Sequence, residues 1–309
     1  MRDDFAIFIL THGRPDRVHT VKSLLDAGYT GKFYIVVDNE DKTLAEYRKK
    51  FGDRVLVFDK AAQAKTFDEG DNFDDRRAII YARNASYDLA LSVGVRLFMQ
   101  MDDDYTSFSY RFDAQGRYGY WSMHGTMDAM ILALLDFYES IPAAAIAISQ
   151  GGDWMSAPST VSMRRKAMNS FVCSVDRRFE FSGRINEDVN TYTSGGRRGM
   201  LFLTVMQAML MQKATQSQAG GMTGIYLDSG TYLKSFYSVM YCPSAVKVGC
   251  MGHKEYRLHH AIEWRYVAPM ILRENEGDTK RDRSSRKDSP QSKSKVADGK
   301  GDARRKARG

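Results

Sequence analysis

Apolar and polar positions alternate in a regular order through the first hundred residues of the chain. Phe5–Leu10 is a nearly continuous apolar run, which is typical of a strand buried on both faces. Apolar residues at helical spacing follow over 18–25, and a second helix is predicted over 76–93. Three further strands are predicted, at 33–37, 55–58 and 97–101. This alternation predicts an α/β fold with a mostly parallel sheet flanked by helices.

The pattern becomes less regular in the second half of the chain. A hairpin is predicted over 108–121, a helix over 124–140 and an apolar strand over 144–148. Residues 231–241 and 245–248 are predicted to be further strands, and the Gly- and Arg-rich stretch 195–199 a mobile loop. These segments predict a smaller antiparallel part in the C-terminal half.

The composition changes after residue 273. Residues 1–273 carry the apolar patterns and are predicted to form one domain. Residues 274–309 are rich in Ser and Gly, and their Lys and Arg outnumber their Asp and Glu, so a disordered basic tail is predicted. Such a tail could bind a polyanion such as DNA by counterion release. A terminus that only increases solubility is the alternative, and both interpretations stay open.

Composition excludes several classes of protein. The hydrophobic fraction of 43% in 309 residues is that of a globular chain. The three cysteines form no CxxC pair, so neither a disulfide scaffold nor a zinc site is expected. The longest apolar stretch, 130–149, is interrupted by Asp136, Glu139 and Pro142, so we expect no membrane span. The N-terminus has no basic signal region, and a reducing, cytoplasmic location is expected.

Polar clusters follow three of the predicted strands. They are residues 11–14, residues 38–39 and the acidic triplet Asp102-Asp103-Asp104. Ligands of parallel sheets bind beyond the carboxyl ends of the strands, so these clusters should converge. Strand alternation puts Asp102 and Asp104 on one side, which suits a hard divalent metal, although a solvated acidic turn is the alternative. Asp103 should point away and be the replaceable member.

Two later clusters could also carry chemistry. Glu187 and Asp188 are adjacent, and neighbouring carboxylates raise one another's pKa, so one could act as a general base. The same dipeptide is common on protein surfaces. His253, His259 and His260 could supply a neutral imidazole to a metal, or could be incidental surface histidines. The chain has no GxGxxG after its first strand and no P-loop, HExxH or GxSxG motif.

The order of these motifs resembles the GT-A nucleotide-sugar glycosyltransferases. The shared motifs are Thr-x-Gly-Arg-Pro at 11–15, Val-Asp at 37–38, Ala-Arg-Asn at 82–84, the Asp triplet at 102–104 and Asn-Glu-Asp at 186–188. Longer segments are similar to the phage-type TET-associated glycosyltransferases, which are expected to modify hydroxymethylated pyrimidines in DNA. These segments are 8–14, 99–105, 184–191, 220–223, 230–236 and 259–264. The resemblance covers most of residues 5–270.

The resemblance implies a Rossmann-like GT-A catalytic domain and a role for each matching residue. The donor nucleotide would be bound by Thr11, Arg14, Asp38, Arg83, Asp102 and Asp103. The metal, Mn²⁺ or Mg²⁺, would be bound by Asp102, Asp104 and either His259 or His260. Asp188, or less readily Glu187, would be the catalytic base of an inverting transfer. The favoured donor is a UDP-sugar, and the expected acceptor is the 5-hydroxymethyl group of a pyrimidine in phage DNA.

Other functions remain compatible with the same residues. The fold could act on a protein or small-molecule acceptor, serve as a catalytically silent nucleic-acid-binding module, or transfer a nucleotide instead of a sugar. The expected partners are a nucleotide sugar and hydroxymethylated DNA, without a membrane. The sugar, the donor base and the oligomeric state stay open, and the location would be the host cytoplasm if the protein is encoded by a phage.

Overall fold

A central sheet built from both halves of the chain positions the polar clusters. The structure is a computed structural model and describes residues 1–72, 76–150, 161–212, 223–251 and 257–272. Its strands are β1 (Phe5–Leu10), β2 (Lys32–Asp38), β3 (Val55–Phe58), β4 (Leu97–Asp102), β5 (Tyr105–Phe112), β6 (Tyr118–Ser122), β7 (Ala143–Gln150), β8 (Val161–Ser162), β9 (Phe171–Ser174), β10 (Leu201–Gln212), β11 (Val246–Met251) and β12 (Arg257–Ile262). Its helices are α1 (His19–Asp26), α2 (Leu44–Phe51), α3 (Lys60–Ala64), α4 (Ile80–Ser92), α5 (Met127–Ser140), α6 (Glu187–Arg197) and α7 (Thr223–Tyr241).

The first four strands form a parallel block in the order β3-β2-β1-β4. Strand β1 lies inside this block and all six of its residues are buried, which explains its continuous apolar run. In the register of the block, Leu10 is paired with Val36 on one side and with Asp102 on the other. The carboxyl ends of β1, β2 and β4 therefore meet at one edge, as the sequence predicted.

The rest of the main sheet continues from β4 as β9-β7-β10-β5-β6, with β8 paired to β10. Strand β9 is antiparallel to both β4 and β7, whereas β7 and β10 are parallel to each other. Strand β5 starts directly after the acidic triplet and pairs antiparallel with β10. Strands β11 and β12 form a separate antiparallel sheet. The predicted α/β fold, with its smaller antiparallel part in the C-terminal half, is confirmed.

Two apolar layers cover the faces of the sheet. Alternate residues of β1 point into different layers, with Ile7 in one and Phe8 in the other. The layer around Ile7 contains buried residues of α1 and α5, and the layer around Phe8 contains buried residues of α4 and α6. This two-sided packing fixes the strand ends that carry the polar clusters.

The prediction of a strand over 231–241 is wrong, because these residues lie in helix α7. Leu233, Tyr237 and Tyr241 are four residues apart and pack together with Ile185. This spacing places them on one helical face. Packing of that face outweighs the preference of aromatic residues for strands.

The prediction of a mobile loop over 195–199 is also wrong. Gly195 and Gly196 are buried in the last turn of α6. A Cβ atom on Gly196 would lie 2.4 Å from the carbonyl oxygen of Val267, and one on Gly195 would lie 2.9 Å from the ring of Phe202. The glycines therefore allow close packing of the helix end.

Residues Met1–Arg273 form one compact unit. The predicted disordered tail, 274–309, lies outside the described residues, and the boundary at residue 273 stays a prediction. Within the described ranges, no helix combines the length and the apolar character needed to cross a membrane.

Replacement of Asn84 by Ala is expected to destabilise the fold. Its buried amide accepts a hydrogen bond from Phe181 N at 2.8 Å and donates one to Phe181 O at 3.0 Å. Asn84→Ala leaves both buried backbone groups unpaired, so the free energy of unfolding should fall by about 2–4 kcal/mol. Urea titration followed by tryptophan fluorescence measures this loss.

Ser92→Ala on the exposed end of the same helix is the matched control and should change stability by less than about 0.5 kcal/mol. Equal stability of the Asn84 and Ser92 variants would contradict the role assigned to the Asn84 amide.

Candidate active site

A buried arginine joins the acidic triplet to the second acidic cluster. Arg83 is 1% exposed and lies in the first turn of α4. Its Nη2 donates to Asp102 Oδ1 at 3.1 Å, and its Nε donates to Glu187 Oε1 at 2.9 Å. One guanidinium therefore holds the end of β4 and the start of α6 together.

Strand β4 also fixes the backbone of helix α4 at this point. The buried Gln100 side chain donates from Nε2 to the carbonyl oxygen of Arg83 at 2.8 Å. The Arg83 guanidinium lies 5.2 Å from the centroid of the Phe171 ring. The bond from Gln100 fixes the backbone of Arg83, and the Phe171 ring packs near its guanidinium, whose charge is directed to the two carboxylates.

Asp103 connects the acidic triplet to the segment that follows β1. Its Oδ2 accepts hydrogen bonds from Thr11 Oγ1 at 2.5 Å and from Arg14 Nε at 2.7 Å. Asp103 does point away from Asp102, as strand alternation predicted. It is only 1% exposed, however, so the prediction that it is the replaceable member of the triplet is wrong. Three predicted site residues, Thr11, Arg14 and Asp103, thus form one bonded group.

Negative charge accumulates around Asp102. Burial raises the pKa of Asp102 to about 7; the Arg83 guanidinium opposes this shift, whereas the carboxylates of Asp104 and Glu187 add to it. Burial also raises the pKa of Glu187, with Arg83 again opposing and Asp188 adding to the shift. A cation bound near these groups would stabilise their charged forms.

The carboxylates at this edge fit a divalent metal that is shared with a ligand. The side chain of Asp102 is 21% exposed, and Asp104 is half-buried at the β4–β5 turn. In the part of the chain that the structure describes, no three His, Cys, Asp or Glu side chains are grouped to hold a metal ion. Mg²⁺ commonly uses one or two protein carboxylates together with water and phosphate oxygens. Asp102 and Asp104 can supply the two carboxylates.

Asp38 lies at the end of β2 in a separate polar group. Its Oδ2 is 2.6 Å from His12 Nδ1 and 3.4 Å from Lys60 Nζ. Asp41 accepts a hydrogen bond from Gly13 N at 2.7 Å in the same region. His12 belongs to the predicted cluster 11–14 without an assigned role, and Asp41 and Lys60 were not singled out from the sequence. The sequence around Lys60 gives no indication of a site, because a lysine at a polar helix start is usually exposed. In the structure, however, Lys60 is buried.

The second acidic cluster begins helix α6 after a strained residue. Asn186 has a φ of +61°, in the left-handed region that few non-glycine residues adopt. Glu187 follows with its bond to Arg83, and Asp188 Oδ1 accepts a hydrogen bond from Val189 N at 2.8 Å. The Glu187 carboxylate therefore lies beside the acidic triplet, and Asp188 follows it in the first turn of α6.

Of the three candidate histidines, the structure describes His259 and His260, which are neighbours on β12. His260 is 5% exposed, and its Nδ1 is 3.5 Å from the amide nitrogen of Asn186. Burial lowers the pKa of His260 strongly, and the neighbouring basic groups lower it further. His260 is therefore neutral near pH 7. His253 and residues 220–221 lie outside the described residues.

A comparison with protein families gives a match over most of the chain. The model of the family described as TET-associated glycosyltransferases matches residues 5–221. No curated protein matches the chain in sequence.

Two similar solved structures are complexes with UDP or a UDP-sugar. Glucosyl-3-phosphoglycerate synthase from Mycobacterium tuberculosis, in complex with Mg²⁺ and uridine diphosphate, is 8% identical with a TM-score of 0.45, over 84% of this chain and 87% of that chain. The S. aureus TarS fragment 1–349, in complex with UDP-GlcNAc, is 9% identical with a TM-score of 0.39, over 76% of this chain and 66% of that chain.

Asp103 is expected to matter more for stability than Asp104. Burial raises the pKa of Asp103, with Arg14 and Thr11 opposing the shift, so its carboxylate depends on those two partners. Asp103→Ala should lower the free energy of unfolding by about 1–3 kcal/mol, because the Thr11 hydroxyl loses a buried acceptor. Asp104→Ala, at a half-buried turn, should cost less than about 1 kcal/mol. Urea unfolding of both variants measures the difference, and equal losses would contradict the assigned contacts.

Asp38 is expected to stabilise the fold in a pH-dependent way. Burial raises its pKa, but the His12 hydrogen bond and the Lys60 charge outweigh that effect, so the pKa of Asp38 is lowered. A lowered pKa stabilises the folded state above the unfolded value of about 3.9, and this stabilisation is lost as the pH falls through the folded value. The difference in unfolding free energy between wild type and Asp38→Asn should therefore be largest near pH 7.

Urea titrations between pH 3 and pH 7 test this dependence. Asp53→Asn, at an exposed position, is the matched control and should show a small difference at every pH. If the difference in unfolding free energy between wild type and Asp38→Asn increased as the pH was lowered, the lowered pKa would be contradicted.

Proposed function

The chain belongs to the family of TET-associated glycosyltransferases, and from this premise we propose a metal-dependent transfer of a sugar from a nucleotide diphosphate to a hydroxyl group. The proposed donor is a UDP-sugar, and the proposed acceptor is the 5-hydroxymethyl group of a pyrimidine in DNA. The family name is the support for this acceptor. A base in duplex DNA would have to leave the stack to be reached.

The observation that carries the proposal is the contact of Arg83 with both Asp102 and Glu187. Asp102 belongs to the carboxylate group proposed to face the donor diphosphate. Glu187 belongs to the segment proposed to activate the acceptor. Because one guanidinium reaches both, a donor sugar and an acceptor hydroxyl bound at these two places would be close enough to react.

Asp188 is the better candidate for the base. The Glu187 carboxylate is held by the hydrogen bond from Arg83 Nε at 2.9 Å, so it is less able to turn towards an acceptor hydroxyl. The carboxylate of Asp188 accepts a hydrogen bond from the backbone nitrogen of the next residue, Val189. We propose that Asp188 takes the hydroxyl proton while the acceptor oxygen bonds to the anomeric carbon. The bond from that carbon to the diphosphate breaks on the opposite side, so the configuration inverts.

The residues at the other side of the site would hold the leaving group. A bound Mn²⁺ or Mg²⁺ would neutralise the charge that develops on the diphosphate. Asp104 and Asp102 are its proposed protein ligands. Arg14, which is bonded to the neighbouring Asp103, would approach the nucleotide.

Transfer can be tested with the purified chain, Mn²⁺, a set of nucleotide sugars and an oligonucleotide that contains 5-hydroxymethylcytosine. Mass spectrometry should show the gain of one sugar per modified base and no gain on unmodified cytosine. Asp188→Asn should reduce the rate at least about 100-fold, since general-base catalysis contributes that much. Asp104→Asn should weaken Mn²⁺-dependent donor binding, measured by calorimetry.

Asp53→Asn has the same change of charge on the surface and should keep the wild-type rate. Transfer to a protein or a free nucleoside in preference to the oligonucleotide would replace the acceptor part of the proposal. Absence of both transfer and donor binding would contradict the whole of it.

A further inference from the structure

We propose that the carboxamides of Asn169 and Gln212 bind the hydrogen-bonding edge of the acceptor pyrimidine and thereby determine which base receives the sugar. This site rests on the proposed function, because its ligand is a base of a nucleic-acid acceptor. Neither residue belongs to the groups proposed above to bind the donor or the metal, or to act as the base.

Both carboxamides lie close to the acidic triplet. Gln212 is the last residue of β10 and pairs with Tyr105, which directly follows Asp104. The hydroxyl of Tyr105, which is fully buried, donates to the carbonyl oxygen of Asn169 at 2.7 Å. The strands that carry the proposed donor residues are β1, β2 and β4, whereas Gln212 ends β10 and Asn169 precedes β9. The pair is therefore next to the reacting groups but separate from the donor strands.

Hydrogen bonds fix the orientation of the two amide groups. Asn169 Nδ2 donates to Gln212 Oε1 at 2.9 Å, and Gln150 Nε2 donates to the same oxygen at 3.3 Å. Because two N–H groups converge on Oε1, the Gln212 amide cannot turn over without losing both bonds. Gln212 Nε2 is left as a donor and Asn169 Oδ1 as an acceptor, and neither atom bonds to another of the described residues. Both side chains are half-buried, so a ligand can reach them.

The backbone of Asn169 is held in an unfavourable conformation at this place. Its φ is +60°, and the other non-glycine residue with a positive φ in the described ranges is Asn186, at the start of α6. Such residues persist where the surroundings hold them, and they cluster at binding and active sites. The bonds to Tyr105 and Gln212 supply that constraint, so the Asn169 amide is presented in one direction.

A donor beside an acceptor matches one edge of a pyrimidine. Cytosine carries the N4 amino donor next to the N3 acceptor, whereas a uracil carries the O4 acceptor next to the N3–H donor. A base that has left the stack is recognised through hydrogen bonds to this edge. Because the two pyrimidines show donor and acceptor in opposite order, an amide pair of fixed orientation favours one of them.

The first test measures how much of the binding of an oligonucleotide depends on the base. Fluorescence anisotropy follows binding of the full chain, without nucleotide sugar, to single strands that contain one 5-hydroxymethylcytosine, one 5-hydroxymethyluracil or one abasic site at the same position. Wild type should bind the favoured base about tenfold more tightly than the abasic strand. Equal affinity of wild type for all three strands would overturn the proposal.

Two variants assign this preference to the amide pair. Asn169→Gly removes the carboxamide and keeps the backbone, since glycine adopts a positive φ without steric cost. Gln212→Met removes the donor at nearly the same side-chain length. Both variants should reduce the preference for the base to less than about threefold and leave the affinity for the abasic strand unchanged. A merely structural role would weaken binding of all three strands alike.

Gln115→Met, at the exposed turn between β5 and β6, is the matched control and should keep the wild-type preference. An unchanged preference in Asn169→Gly would overturn the proposal, as would an equal loss of affinity for all three strands in both variants. These titrations do not require sugar transfer. Absence of transfer with retained base-dependent binding would therefore count against the proposed function alone.

Discussion

The buried guanidinium of Arg83 is the interaction on which the rest of the site depends. It contacts Asp102 at the end of β4 and Glu187 at the start of α6. Burying three charged groups is unfavourable unless they are paired, and removal of one partner from such a group leaves an uncompensated charge. The contribution of this arrangement is therefore mainly to geometry and less to stability. It fixes the distance between the acidic triplet and the second acidic cluster, which hydrophobic packing alone would leave adjustable.

Negative charge is concentrated where the acidic triplet meets the start of α6. Burial raises the pKa of Asp102, and Asp104 and Glu187 raise it further; burial and Asp188 raise the pKa of Glu187, and Arg83 opposes both shifts. His260, whose Nδ1 lies 3.5 Å from the amide nitrogen of Asn186, adds no charge here, because burial lowers its pKa strongly. A divalent cation is therefore favoured beside the acidic triplet.

The sequence predicted the convergence of strand ends well, because parallel strands with polar residues at their carboxyl ends meet at one edge. It predicted the direction of the Asp103 side chain but not its burial. The alternation of side chains along a strand shows to which face a residue points, but not which groups pack against that face. Lys60 was missed for the same reason, since its partner Asp38 is distant in sequence. The pairing of Arg83 with Glu187 depends on a contact between distant segments, and the motif order alone suggested that these residues share a site.

The error over residues 231–241 concerns the segment that supports the strained start of α6. Ser238 on α7 accepts a hydrogen bond from Asn186 Nδ2 at 2.5 Å and donates one to Asn190 Oδ1 at 2.9 Å. Asn190 in turn donates to Ile185 O at 2.9 Å, so the bonds return to the residue before Asn186. A left-handed asparagine is unfavourable by itself and persists when its surroundings hold it in several ways. Helix α7 supplies that constraint. The orientation of Glu187 and Asp188 therefore depends on a helix that the local sequence preferences do not predict.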